Sequence, residues 1–163
     1  MKISRSESSE FLPAPKITNV GDYLYTSTIY PLFDNNGVVK GNSSMGSLGP
    51  SDVEVQTEAC FEILLDYLKE FGSDFSKLIK VEVCLSSEKD FIEFKEVWQK
   101  KLNPLFPART TLVVGETFPL PGCKVSIDAI ALSGDSKIQL QYLNDEENDN
   151  NMVAECAPHA VRA

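Results

Sequence analysis

The chain has 163 residues, 42% of them hydrophobic, so it is long enough for one domain with a real core. Its net charge is −9 and its isoelectric point is about 4.6, which argues against a sequence-independent nucleic-acid binder because such proteins need a basic surface. No apolar run approaches the roughly 20 residues of a membrane span, so no membrane partner is expected.

The N-terminus and the cysteines bear on compartment and metal binding. The first seven residues lack the apolar core of a secretory signal, and Glu7 and Glu10 are atypical of a mitochondrial presequence. A cytoplasmic protein is therefore expected, with the mitochondrion as the alternative. The four cysteines form no Cys-x-x-Cys pair and the single histidine, His159, lies in a polar tail, so no metal site is expected.

Two strands are predicted near the start of the chain. Residues before about 11 are polar and are expected to be loose, and a short edge strand is expected within 14–20. Residues 23–30 are rich in aromatic and β-branched side chains, which predicts a strand. Alternation in that strand places four side chains on one face: Tyr23, Tyr25, Ser27 and Ile29.

A long loop, 33–50, separates these strands from a helix and is either functional or disordered. Ser51 and Glu54 have the spacing of a capping box, which predicts a helix start. The helix is expected to run to about Phe71 before Gly72, with one buried apolar stripe.

The second half of the chain predicts a strand, a helix and two further strands. Their ranges are 78–85, 87–102, 109–114 and 123–132. The acidic segment that follows has few apolar residues and predicts disorder. We therefore divide the chain into a disordered N-terminus (1–12), one folded domain (13–133) and a disordered acidic tail (134–163).

The element order predicts an α+β fold in which two helices pack on one face of a mixed sheet. The other face is then covered by water or by another subunit. Several side chains assigned to it are more apolar than a solvated surface requires, which favours an oligomer. They are Tyr23, Tyr25, Ile29 and Ile130.

Arg109 is placed by a rigid local sequence. Pro107 fixes its own backbone, and the β-branched run after Arg109 favours a strand, so the arginine lies at a strand entrance. From there its guanidinium can bind a carboxylate or phosphate through two parallel hydrogen bonds. The alternative is an ion pair with an Asp or Glu inside the protein.

Six stretches between Ile17 and Ser133 occur in a diagnostic order and spacing. They are residues 24–27, 56–57, 71–81, 90–91, 107–110 and 124–131. Together they resemble the Rid family, also called the YjgF family or the reactive-intermediate deaminases, and 107–110 is the most diagnostic of them.

The resemblance implies a chorismate-mutase-like fold, assembled as a homotrimer with ligand clefts between subunits. It implies hydrolysis of reactive enamines and imines, made by PLP-dependent dehydratases, to 2-keto acids and ammonia, without a metal or an organic cofactor. Arg109 matches the arginine that binds the substrate carboxylate, while Ser27 and Thr111 are the other candidate substrate-binding residues. The expected partner is a small carboxylate-bearing metabolite.

The chain departs from the family at the residue that orients the attacking water. The family has a glutamate there, whereas this chain has Ser126, which can hold a water but cannot take up a proton at neutral pH. Asp128, two residues on and on the same face, is the candidate substitute; a surface or interface role is its alternative. Lys95 stands where the family usually has asparagine, and the loop 33–50 is longer than usual.

Two functions therefore stay open, and with them whether the chain is an enzyme. The first is hydrolysis like that of the 2-iminobutanoate/2-iminopropanoate deaminases, with Ser126 in place of the glutamate. The second is a non-catalytic trimeric module that binds a small carboxylate or a protein partner. The endoribonuclease activity attributed to some relatives fits least, because the net charge is −9.

Overall fold

The computed structural model describes residues 3–7, 14–32, 51–115 and 118–141. Its main elements are β1 (Ile3–Arg5), β2 (Ile17–Val20), β3 (Tyr23–Thr26), α1 (Asp52–Lys69), β4 (Leu78–Leu85), α2 (Phe91–Leu102), β5 (Ala108–Val113) and β6 (Val125–Leu132). The six strands form one sheet in the order β1-β2-β3-β6-β4-β5. The β4–β5 pair is parallel and the other pairs are antiparallel, so the sheet is mixed.

Both helices pack on one face of this sheet, which confirms the predicted α+β layer. The capping box at the start of α1 forms as expected: the Ser51 hydroxyl accepts from the Glu54 amide at 3.2 Å, and the Glu54 carboxylate accepts from the Ser51 amide at 2.7 Å. The core lies between the helices and the sheet. Its largest buried members include Phe61, Leu64, Leu68, Leu85, Phe94, Leu102 and Ile127.

The N-terminus differs from the loose segment that was expected. Ile3–Arg5 forms an edge strand antiparallel to β2, with Ile3 opposite Val20 and Arg5 opposite Thr18. Ser6 closes the pair, because its hydroxyl accepts from the Ile17 amide at 3.0 Å. Three residues with no strong local preference become a strand here because a partner strand satisfies their backbone groups.

A bulge in the chain after β3 overturns the predicted alternation. Tyr25 lies opposite Ile130, but Ile29 lies opposite Ile127, so four steps along one strand match three along the other. The Thr26 hydroxyl accepts from the Ala129 amide at 2.8 Å within this irregularity. Ile29 is therefore buried in the core, while Tyr23 and Tyr25 are exposed on the opposite face, called the open face below.

The structure describes the chain termini in part and does not describe the long loop. Residues 134–141 form no helix or strand, and 142–163 lie outside the described residues, as do 33–50. The predicted disorder of the tail and the role of the loop thus stay predictions. Neither α1 nor α2 is long and apolar enough to cross a membrane.

Candidate functional site

Arg109 lies on the helix side of the sheet, on edge strand β5 opposite Val81 of β4. Its guanidinium carbon is 4.8 Å from the centre of the Trp98 ring, 5.5 Å from that of Phe91 and 5.6 Å from that of Phe94. These three residues belong to α2, so the helix that precedes β5 supplies an aromatic surface for the cation.

No carboxylate among the described residues forms an ion pair with Arg109. The predicted alternative, an internal ion pair, is therefore not found in that part of the chain. The side chain is exposed, and partial burial lowers its pKa, yet a guanidinium stays protonated in proteins. Arg109 is thus a cation supported by aromatic rings, and no described carboxylate occupies its hydrogen-bond donors.

An open pocket of about 360 Å³ lies beside this guanidinium. Its walls combine two cations with aromatic and polar surface: Lys95, Trp98, Gln99, Phe106, Pro107 and Arg109. A cavity of this size, lined by two cations, suits a small anionic ligand. The aromatic side chains of α2 therefore belong to the core and also support Arg109.

Thr111 shares the face of Arg109, since it lies two residues further along β5 and opposite Val83. Its hydroxyl oxygen is buried and has no hydrogen-bond partner among the described residues. Buried hydroxyls are usually paired, so Thr111 retains hydrogen-bonding capacity next to the cation.

Ser27 is not brought near Arg109 within one chain. It follows β3, which is three strand positions from β5, a separation of roughly 14 Å at the usual strand spacing. Its hydroxyl donates to the Pro15 carbonyl at 2.7 Å and so holds the bulge against the segment before β2.

Ser126 lies on the open face of the sheet, opposite Cys84 of β4, and only 3% of it is exposed. Burial raises the pKa of the Cys84 thiol, and the nearby Asp128 carboxylate raises it further, while the Ser126 hydroxyl offsets part of this rise. The position that matches the family's glutamate therefore holds a neutral hydroxyl beside a neutral thiol.

Asp128 is on the same face as Ser126, as predicted, and lies opposite Glu82. Its carboxylate accepts a hydrogen bond from the Thr28 hydroxyl at 2.9 Å. Burial raises its pKa above the ordinary value, the Thr28 bond lowers it, and the Glu82 charge raises it again, with a net increase. Asp128 also lines an open-face pocket of about 140 Å³ together with Tyr25 and Lys80.

The candidate residues thus form two sets on opposite sides of the sheet. Arg109 and Thr111 lie on the helix side at edge strand β5, and Ser126 and Asp128 lie on the open face of β6. Within the described residues no three His, Cys, Asp or Glu side chains are close enough together to hold a metal ion.

Gln56, which contributes to the resemblance to the Rid family, has a structural role. It is 1% exposed; its side-chain amide donates to the Gly122 carbonyl at 2.9 Å and accepts from the Lys124 amide at 2.7 Å. Gln56 therefore fixes the segment that leads into β6 and positions Ser126 indirectly.

A family model described as Endoribonuclease L-PSP matches residues 16–133. The chain belongs to this family, which is the Rid or YjgF family. Mmf2, a mitochondrial protein of Schizosaccharomyces pombe, is 36% identical over 88 residues, which are 53% of this chain and 69% of mmf2. The 2-iminobutanoate/2-iminopropanoate deaminase of Bos taurus is 31% identical over 116 residues, covering 71% of this chain and 82% of that enzyme.

The solved structure of YyfA from Yersinia pestis, a protein of the conserved Rid family, superposes with a TM-score of 0.67. The match covers 80% of this chain and 99% of YyfA at 21% identity, so it bears on the fold alone. It confirms the fold that the resemblance implied.

Proposed function

We propose that the protein hydrolyses reactive enamine or imine intermediates to 2-keto acids and ammonia, and that Arg109 binds the substrate carboxylate. The observation that carries this proposal is the Arg109 guanidinium, which is stacked on α2 and exposed without an acidic partner among the described residues. The name of the bovine relative, a 2-iminobutanoate/2-iminopropanoate deaminase, supports the reaction class.

The site is proposed to form between copies of the chain in a homotrimer. A substrate bound by Arg109 cannot reach Ser126 through the sheet, so the two sets combine only when β5 of one copy meets the open face of another. Both surfaces are apolar enough for such contact: Leu112 and Val113 on β5 are 54% and 55% exposed, and Tyr23 and Tyr25 are 40% and 43% exposed.

The chemistry requires a water to attack the imine carbon, after which the tetrahedral carbinolamine loses ammonia and leaves the keto acid. Arg109 holds the carboxylate next to that carbon, and exclusion of side reactions and correct positioning lower the barrier. Ser126 is proposed to hold the water. Asp128, a carboxyl two residues from Ser126 on the same face, is proposed to exchange a proton with it.

The test couples a PLP-dependent dehydratase, acting on serine or threonine, to the purified protein and follows imine disappearance. The wild type is expected to exceed buffer, Arg109→Ala to fall to the buffer rate, and Arg5→Ala on the far edge strand β1 to match the wild type. Equal rates for wild type and buffer would contradict hydrolysis. Ser126→Glu is expected to raise the rate, and a fall would indicate that Ser126 suits another substrate.

The second candidate is a non-catalytic trimeric module that binds a small carboxylate or a protein partner. The observation in its favour is Ser126, because a buried neutral hydroxyl replaces the acid that the reaction uses in the family. Arg109-dependent binding of 2-oxobutanoate without any imine hydrolysis would select this candidate.

For location, the sequence favours the cytoplasm, whereas the name of mmf2 places that relative in the mitochondrion. We propose a cytoplasmic location, with the mitochondrion as the alternative. Fluorescence from a C-terminal fusion that follows a mitochondrial marker would overturn this assignment.

A further inference from the structure

The pocket beside Arg109 contains a second cation, Lys95, and no carboxylate among the described residues that line it. This is notable in a chain with a net charge of −9. Lys95 lies one helical turn before Trp98 and Gln99 on α2, so all three face the same side of the helix.

Lys95 has no ion pair among the described residues. Its neighbours three and four positions away on α2 are Phe91, Ile92, Trp98 and Gln99, none of which is acidic. The lysine is exposed, so its ammonium can move over the mouth of the pocket.

We propose that Lys95 and Arg109 together select a small ligand with two anionic groups, of the class of 2-imino dicarboxylic acids and their keto products. Arg109 holds the carboxylate next to the imine carbon through its planar fork, and Lys95 neutralises the distal anionic group as a point charge. The inference rests on the proposed function in placing the ligand at Arg109, and it adds the substrate class.

Size and charge support this assignment over a monocarboxylate with an apolar tail. A pocket of about 360 Å³ suits a ligand of a few carbon atoms, and Lys95 and Arg109 both line it. Binding a monoanion there leaves two cations facing one negative charge. A dianion neutralises both.

The test compares two four-carbon keto acids that differ in one carboxylate, oxaloacetate and 2-oxobutanoate, by calorimetric titration of the full chain. The wild type is expected to bind oxaloacetate about fivefold more tightly, since an exposed ion pair contributes up to about 1 kcal/mol. Lys95→Gln should abolish that ratio by weakening oxaloacetate binding more than 2-oxobutanoate binding. High salt should also lower the wild-type preference for oxaloacetate, because it screens the exposed ion pair with Lys95.

Lys101→Gln is the matched control, because it removes the same charge from α2 at a position that does not line the pocket. An unchanged ratio in Lys95→Gln, or a wild type that prefers 2-oxobutanoate, would overturn the dianion assignment while imine hydrolysis still supports the proposed function. Failure of both keto acids to bind, together with no Arg109-dependent hydrolysis, would remove the proposed function and this inference with it.

Discussion

Replacing Gln56 by alanine is expected to destabilise the protein by about 2–4 kcal/mol. The substitution removes two hydrogen bonds, 2.9 Å to the Gly122 carbonyl and 2.7 Å to the Lys124 amide, from a side chain that is 1% exposed. Leaving one buried backbone group unsatisfied costs about 1–3 kcal/mol, and these two are partly buried. Alanine recovers only about 0.5 kcal/mol through its helix propensity.

The measurement is urea unfolding followed by the fluorescence of Trp98, the single tryptophan, which is 4% exposed in the core. In a thermal unfolding experiment, the same loss of 2–4 kcal/mol corresponds to a fall in melting temperature of about 5–12 °C for a domain of this size. Gln99→Ala is the control, because this exposed glutamine of α2 should change the free energy of unfolding by less than about 0.5 kcal/mol.

Gln56→Glu separates the two bonds. Its carboxylate still accepts from the Lys124 amide, but it donates to the Gly122 carbonyl only when it is protonated. Its stability should therefore lie between those of wild type and Gln56→Ala and approach the wild type as the pH falls. A Gln56→Ala protein within about 0.5 kcal/mol of the wild type would refute this account of the segment before β6.

Three further predictions concern the sheet and the site. Gly134→Ala should cost about 1–3 kcal/mol in chemical unfolding, because a Cβ at this position collides with the Gly72 carbonyl. Asp128→Asn should raise the melting temperature at pH 7. The pKa of Asp128 is raised because the fold favours the neutral acid. Its contribution to stability is therefore complete below its ordinary pKa and is lost as the pH rises through the folded value. The difference in melting temperature between Asp128→Asn and the wild type should shrink below about pH 4. Arg109→Lys should weaken 2-oxobutanoate binding in calorimetry by about tenfold, because lysine keeps the charge but loses the fork.

Local sequence patterns were sufficient for the helices and for most strands. The Ser51 capping box and the apolar stripe of α1 act within one element, so they predict it without knowledge of its neighbours. The six stretches that resemble the Rid family extended the prediction from single elements to the whole fold, which the comparison with YyfA confirms.

Register was less predictable, because it depends on which strands pair. Ile29 was assigned to the face of Tyr23 by strict alternation, but the bulge at Ser27 and Thr28 adds one residue and turns Ile29 into the core. Ile3–Arg5 was missed for a related reason, since its hydrogen bonds come from β2 and not from its own sequence.

The placement of the site residues could not be read from spacing alone either. Arg109 faces the helices because it lies opposite Val81, and Ser126 faces away because it lies opposite Cys84. Two residues that the family resemblance assigns to one ligand cleft can thus lie on opposite faces of the sheet within one chain, and their pairing partners on β4 reveal this.

Two of the chain's departures from the family, Lys95 and Ser126, lie on opposite sides of the sheet. Lys95 belongs to the Arg109 side and adds a cation to the pocket that is proposed to bind the ligand. Ser126 belongs to the open face and removes an acid from the surface that is proposed to supply the water. Because the two changes lie on opposite sides of the sheet, they do not compensate each other within one copy. Binding and chemistry are therefore expected to respond independently to substitution, with Lys95 setting which acid binds and Ser126 and Asp128 setting how fast it reacts.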